Sequence, residues 1–222
     1  MFTLITDSNL RKYLSYGDYI RRLNIIRSFG KCRIIVRDDH DICDQIRTLD
    51  ELKVLYRDNT ISKFEIAISS DIPKFCILSK KYMLNAIHLK QSDFENVSQI
   101  NLVKLRRQGI SIGTSVHSSQ EYDISVLKNP NYILISPIFL TKCKLGVNTI
   151  AENELVYILK KAKLDYVETV ALGGIGYTDV YDEKVKERYK KFSNFAIRSL
   201  FYESEDLAKD LEKLMGVVRS VD

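Results

Sequence analysis

The chain has 222 residues, 45% of them hydrophobic and 28% charged, and its 34 Lys and Arg against 29 Asp and Glu leave a net charge of +5. That balance excludes a disordered chain, and the mixing of both signs argues against a nucleic-acid partner. Every long apolar run is interrupted by charge, so no segment reads as a membrane span of about 20 apolar residues.

The N-terminal stretch Met1–Asp7 has no basic region ahead of an apolar core, and no secretory signal is expected from it. Four cysteines, Cys32, Cys43, Cys76 and Cys143, stand at wide, irregular spacings. That is no disulfide framework, and a reducing cytoplasm is the expected compartment.

In chain order, short apolar or β-branched runs alternate with segments of helical period. The predicted strands are Phe2–Thr6, Cys32–Arg37, Phe64–Ser69, Ala86–Leu89, Ser111–Val116, Tyr132–Ser136, Tyr166–Leu172 and Phe195–Leu200. Ile, Val, Leu and Phe dominate them, as in strands buried on both faces of a parallel sheet. The first helix, Tyr16–Phe29, carries an apolar stripe of Tyr16, Tyr19, Ile20, Leu23 and Ile26. Leu49–Tyr56 follows, with Thr48 as N-cap and Glu51 closing a capping box. Pro73 suits the first turn of a short helix over 73–81. The remaining helices are predicted over Phe94–Gln108, Ser119–Leu127, Glu152–Lys163, Asp179–Lys191 and Ser204–Val217, with Gly109 as a C-terminal cap.

Eight strands alternating with eight helices predict a single-domain (β/α)8 TIM barrel over residues 1–222. The competing architecture is an open doubly wound sheet, which has fewer strands. A barrel builds its site at the carboxyl ends of its strands. At or just past the carboxyl ends of the predicted strands lie Arg37-Asp38-Asp39, Ser69-Ser70-Asp71, Lys90-Gln91-Ser92-Asp93, Ser115-Val116-His117-Ser118, Ser136-Pro137 and Gly173-Gly174, and the eighth strand carries Arg198-Ser199. Polar and titratable groups thus gather on one rim. The glycine pair falls where barrels hold phosphate on backbone N–H groups, and Ser199 adds a hydroxyl.

These segments resemble the thiamine phosphate synthase/TenI superfamily. The resemblance rests on Leu4-Ile-Thr-Asp7, Ile34-Ile-Val-Arg-Asp38, Ile87-His-Leu-Lys-Gln-Ser-Asp93, Gly113-Thr-Ser-Val-His-Ser118, Tyr132 through Ser136-Pro-Ile-Phe-Leu-Thr-Lys-Cys-Lys144 and Ala171-Leu-Gly-Gly-Ile175, in this order. It implies one of two chemistries. Synthases join a pyrimidine pyrophosphate to a thiazole phosphate with Mg²⁺ and release pyrophosphate. TenI-like tautomerases isomerise a thiazole carboxylate phosphate to its aromatic form without metal.

The synthase pattern of Gln, Arg and Lys at the second strand reads Ile35, Arg37 and Asp39 here. Only the arginine is kept, and Asp39 would repel pyrophosphate. Asp93 matches a Mg²⁺ carboxylate and Asp71 matches another only with a one-residue shift. Ser115 and Lys144 match pyrophosphate contacts. The 115–118 and 141–144 segments are closer to TenI-like proteins, and His117 matches the tautomerase histidine. An imidazole with a pKa of about 6.5 accepts and donates a proton near neutrality.

The expected function is therefore a TenI-like thiazole tautomerase. His117, Lys144 and Arg37 are the expected catalytic residues. Ser115, Ser136, Thr141, Cys143, Gly173, Gly174 and Ser199 are expected to bind substrate. No cofactor is expected for a tautomerase. For a synthase, Mg²⁺ would sit on Asp93 and Asp71. A non-catalytic ligand-binding barrel is the third reading. The expected partner is a phosphorylated thiazole, with pyrimidine pyrophosphate added for a synthase, and neither nucleic acid nor membrane. Assembly as a homo-oligomer stays open.

Plainer readings apply elsewhere. His88 lies within a strand and reads as a packing or hydrogen-bonding residue. His40 reads as a loop residue, and the basic run Lys184–Lys191 as an exposed helix face. Zinc on His88, His117 and Cys143 lacks ligand spacing.

Overall fold

The computed structural model describes residues 2–37, 42–53, 64–69, 71–140, 148–176, 182–192 and 194–219. The eight strands are β1 (Phe2–Ile5), β2 (Cys32–Val36), β3 (Phe64–Ser69), β4 (Ala86–Leu89), β5 (Ser111–Val116), β6 (Tyr132–Ile135), β7 (Glu168–Leu172) and β8 (Asn194–Ile197). Each pairs in parallel with the next, and β8 pairs with β1 to close the barrel. The helices are α1 (Ser8–Arg11), α2 (Tyr16–Ser28), α3 (Ile42–Leu52), α4 (Ile72–Tyr82), α5 (Gln91–Asn96), α6 (Gln99–Arg107), α7 (Ser119–Val126), α8 (Glu152–Leu164), α9 (Glu183–Lys190), α10 (Ser199–Glu203) and α11 (Leu207–Arg219). No helix among the described residues is long and apolar enough to cross a membrane.

Strand side chains alternate between two cores. Leu4, Ile34, Ile66, Ile87, Ile112 and Ile133 face outward and join the large cluster under the helices. Ile5, Ile35, Ala67, Ala86, Tyr132, Leu134, Val170 and Ala196 fill the barrel interior. Burying one such Ile or Leu side chain contributes about 1.5–3 kcal/mol. Both faces are dry, which is why the strands read as continuous apolar runs.

The interior is layered. At the amino-terminal end of the strands, Arg33 is 2% exposed; it bonds Glu65 and makes two bonds of 3.1 and 3.0 Å to Glu168. Asn194 Nδ2 donates to the same Glu168 at 2.9 Å. The Arg33 guanidinium lies 3.6 Å from the centre of the Tyr132 ring, which in turn stacks on His88 at 5.7 Å. The tyrosine ring fills the space over Gly113, where a Cβ would come within 2.0 Å of it. This column floors the barrel, so the space above it opens only at the carboxyl ends.

Several predicted boundaries differ. The predicted helix over Phe94–Gln108 is two helices, because Val97 is extended and the Ser98 hydroxyl caps α6 through Asn101 N–H. Thr48 caps nothing: α3 starts at Ile42, and Thr48 is buried within it, so the capping box does not form. The last strand stops at Ile197, and Ser199 already opens α10. Tyr166 is a 95% exposed turn residue at φ 55, not part of β7. The final helix starts at Leu207, because the chain is extended at Ser204 after α10. The short α1, capped by Asp7, carries no apolar periodicity and is not predictable from pattern. Pro73 in the first turn of α4 and the left-handed Gly109 after α6 stand as predicted.

Candidate functional site

Over the carboxyl ends of the strands lies a cavity of about 530 Å³. That size suits a small-molecule ligand. The period of two that puts Ala67, Ala86 and Ala196 inside the barrel also turns Ser69, His88 and Arg198 inward one step higher, and all three line the cavity.

Of the residues singled out from sequence, the cavity brings together Arg37, Ser115, His117, Ser136, Gly173, Gly174 and Ser199. Thr141, Cys143 and Lys144 lie outside the described residues, as do Asp38, Asp39 and His40. Asp71 and Asp93 are exposed and do not line the cavity. Asp71 is instead the N-cap of α4, its Oδ1 accepting from Lys74 N–H at 2.7 Å. Asp93 sits in the first turn of α5. Among the described residues no cluster of three His, Cys, Asp or Glu could hold a metal. The two carboxylates expected to hold Mg²⁺ thus stand outside the cavity wall.

His117 is held from both sides. Its backbone N–H donates to Glu121 Oε2 at 2.6 Å, while the Ser118 hydroxyl caps α7 by accepting from Glu121 N–H. Glu121 thus ties the helix start to the end of β5. The ring Nδ1 lies 2.7 Å from the Ser136 carbonyl oxygen and 3.1 Å from the Ser136 hydroxyl. A carbonyl can only accept, so the neutral ring carries its proton on Nδ1 and presents a basic Nε2.

His88 is both a packed residue and part of the cavity wall. It is 4% exposed, and its Nε2 lies 3.0 Å from Ser115 Oγ. Its Nδ1 is buried without a partner. Burial, with the charges of Arg37 and Arg33 adding to it, pushes the ring down to about 3, so it is neutral at ordinary pH. An orphaned N–H costs more than an unused lone pair, so the proton belongs on Nε2, donated to Ser115. The Ser115 hydrogen is then left to point into the cavity.

The glycine turn has a packing reason of its own. Gly173 and Gly174 have φ of +99 and +68, and a Cβ would meet Pro137 Cα at 2.9 Å or Leu140 O at 2.5 Å. The Pro137–Leu140 segment lies against this turn, with Ile138 and Phe139 N–H donating to Leu172 and Gly173 carbonyls at 2.9 and 3.0 Å. On the opposite side, Thr6 Oγ1 accepts from Arg37 N–H at 3.0 Å.

Arg37, Lys90 and Arg198 bring positive charge to the wall, and no described lining residue is Asp or Glu. Lys90 and Arg198 are lining residues that the sequence pattern does not single out as site residues. Their inward register at the tops of β4 and β8 is the signal that finds them.

The fold and the site define a (β/α)8 barrel with a cation-lined, small-molecule cavity over the carboxyl ends of its strands. Residues 77–185 match the family model described as thiamine monophosphate synthase. Over that segment, just under half of the chain, the sequence is similar to the thiamine phosphate synthase/TenI superfamily. It is 31% identical over 98 residues to the thiamine-phosphate synthase of Klebsiella pneumoniae, and 31% over 99 residues to that of Cronobacter sakazakii. These matches cover 44% of this chain and 44% and 45% of the two relatives, so the chain spans less than half the length of either. Among solved structures, thiamine phosphate pyrophosphorylase from Pyrococcus furiosus superposes with a TM-score of 0.67 at 18% identity, covering 99% of this chain and 96% of that one. The 3-hexulose-6-phosphate synthase from Salmonella typhimurium gives 0.66 at 11% identity, covering 100% and 99%. At these identities the superpositions speak for the fold alone.

Proposed function

We propose that the chain is a TenI-like thiazole tautomerase that acts on a thiazole carboxylate phosphate in the cytoplasm. The observation that carries this reading is the geometry of His117. With Nδ1–H committed to the Ser136 carbonyl, Nε2 is the ring's free proton acceptor. In the reaction Nε2 takes the proton from a ring carbon, and the imidazolium returns a proton to a second ring position. The substrate is isomerised with no net change in atoms or electrons, and the step needs no metal or other cofactor. The phosphate is assigned to the Gly173-Gly174 turn and Ser199. Arg37 is assigned to orienting the anionic substrate, and Ser115 and Ser136 to hydrogen-bonding it. Lys144, Thr141 and Cys143 keep the roles inferred from sequence.

The second reading is a thiamine phosphate synthase, favoured by what the curated relatives are called. Against it stand Asp71, engaged as a helix cap, and Asp93, outside the cavity wall.

The test is an assay of the purified protein on two substrate sets. Isomerisation of the thiazole carboxylate phosphate, lost in His117→Ala, is the expected result. Thiamine phosphate formed from the two synthase substrates with Mg²⁺ would replace this reading with the second. Binding without either reaction would point to the non-catalytic barrel.

A further inference from the structure

Arg198 occupies a place that the tautomerase reading leaves unused. The inward register of Ala196 carries its side chain into the cavity between the Gly173-Gly174 turn after β7 and Arg37 after β2. Neighbouring strands are about 4.8 Å apart, so β8 and β2, with β1 between them, stand about 10 Å apart around the rim. An arginine here reaches the part of a ligand that lies inward of a phosphate held at the glycine turn.

Asp7 is its only charged partner among the described residues. Arg198 Nε lies 3.6 Å from Asp7 Oδ2, beyond hydrogen-bond distance. Asp7 has other duties: its Oδ1 accepts from Asn9 and Leu10 N–H at 2.9 and 3.1 Å, and its own N–H donates to the Tyr202 hydroxyl at 2.9 Å. It is therefore a fixed counter-charge that approaches the guanidinium through one oxygen and one nitrogen. The terminal N–H groups of the fork are not used by it. A guanidinium fork matches a planar carboxylate through two parallel bonds.

We propose that Arg198 is a specificity-determining residue that binds a carboxylate on the phosphorylated substrate, so that the site selects ligands bearing both groups. The inference deepens the tautomerase reading and rests on its assignment of the phosphate to the glycine turn. Arg198 takes no proton and performs no chemistry; it selects and orients.

The test compares two matched ligand pairs by calorimetry on wild type, Arg198→Gln and Arg198→Lys. One pair is the thiazole phosphate with and without its ring carboxylate. The other, free of any thiazole, is phosphoglycolate and ethyl phosphate. Wild type is expected to prefer the carboxylated member of each pair by about tenfold or more. In Arg198→Gln that preference falls to within about twofold, while affinity for the member lacking the carboxylate is kept. Arg198→Lys, with the charge but not the fork, lies between. An unchanged preference in Arg198→Gln, or equal weakening of both members, overturns the proposal, the second result moving Arg198 to the phosphate. If only the phosphoglycolate pair binds and discriminates, the thiazole reading fails and Arg198 keeps its role. If the thiazole pair binds without preference, the reverse holds. If neither pair binds, both are overturned.

Discussion

His88 Nε2 lies 3.0 Å from Ser115 Oγ, and this contact joins the packed floor of the barrel to the wall of its cavity. Below the histidine are the Tyr132 ring and the Arg33 guanidinium; above it is a hydroxyl turned toward the ligand space. The histidine is held neutral because a charge there would be both dry and next to two arginines.

That neutrality makes stability depend on pH. The unfolded chain binds a proton at this histidine below about pH 6.5, and the folded chain does so only near 3. Between those values the unfolded state holds more protons, so stability rises with pH and is lost on acidification. The slope from this one group approaches roughly 1 kcal/mol per pH unit. Denaturant unfolding from pH 4 to 7 is expected to show it, and His88→Gln to flatten that limb. An unchanged slope in the variant would refute the assignment.

Gly113→Ala puts a methyl into the Tyr132 ring. The ring has little room to move, lying between Arg33 and His88. A loss of about 1–3 kcal/mol is expected from overpacking, read by chemical denaturation. Replacing Tyr132 by Leu in the same chain should recover part of it.

Gly174→Ala meets both a positive φ and the Leu140 carbonyl at 2.5 Å. Displacement of the turn should lower stability by about 1–3 kcal/mol and weaken phosphorylated ligands more than their unphosphorylated analogues. Thermal unfolding with and without ligand separates the two effects.

Arg33→Met leaves Glu65 and Glu168 facing each other without their shared counter-charge. Both carboxylates are about one-quarter exposed, at 24% and 26%, so the cost is placed at about 2 kcal/mol, below that of a fully buried pair. Replacing all three residues by apolar ones of similar size should cost less than the single change. Unfolding curves of the two variants decide it.

On the tautomerase reading, His117→Ala lowers isomerisation by about 10²–10⁴-fold with little change in stability, because the side chain is exposed at the cavity rather than in the core. A rate within tenfold of wild type would remove His117 from the chemistry.

Local pattern was enough for the eight strands. Strands buried on both faces, such as Ile34–Val36 and Ile133–Ile135, can only be continuous apolar runs, and their βα spacing implies a closed parallel barrel. The rim positions of Arg37, Ser115, His117, Ser136, Gly173, Gly174 and Ser199 follow from the same register. Helix limits were less legible, because a cap is one hydroxyl in competition with others: Ser98 makes its bond and Thr48, buried in α3, does not.

The amino-acid sequence by itself determined the barrel and which residues stand on its rim, because period and burial are local properties of the chain. Only the tertiary structure decided which rim residues share the cavity. Asp71 and Asp93 follow β3 and β4 within two and four residues, yet one caps a helix and the other faces solvent. It also decided that His117 exposes Nε2 rather than Nδ1, and that Arg198 stands over the site beside Asp7. The placements of His117 and Arg198 each depend on a partner 19 or more residues away, and closure of the ring brings those partners within a few ångströms.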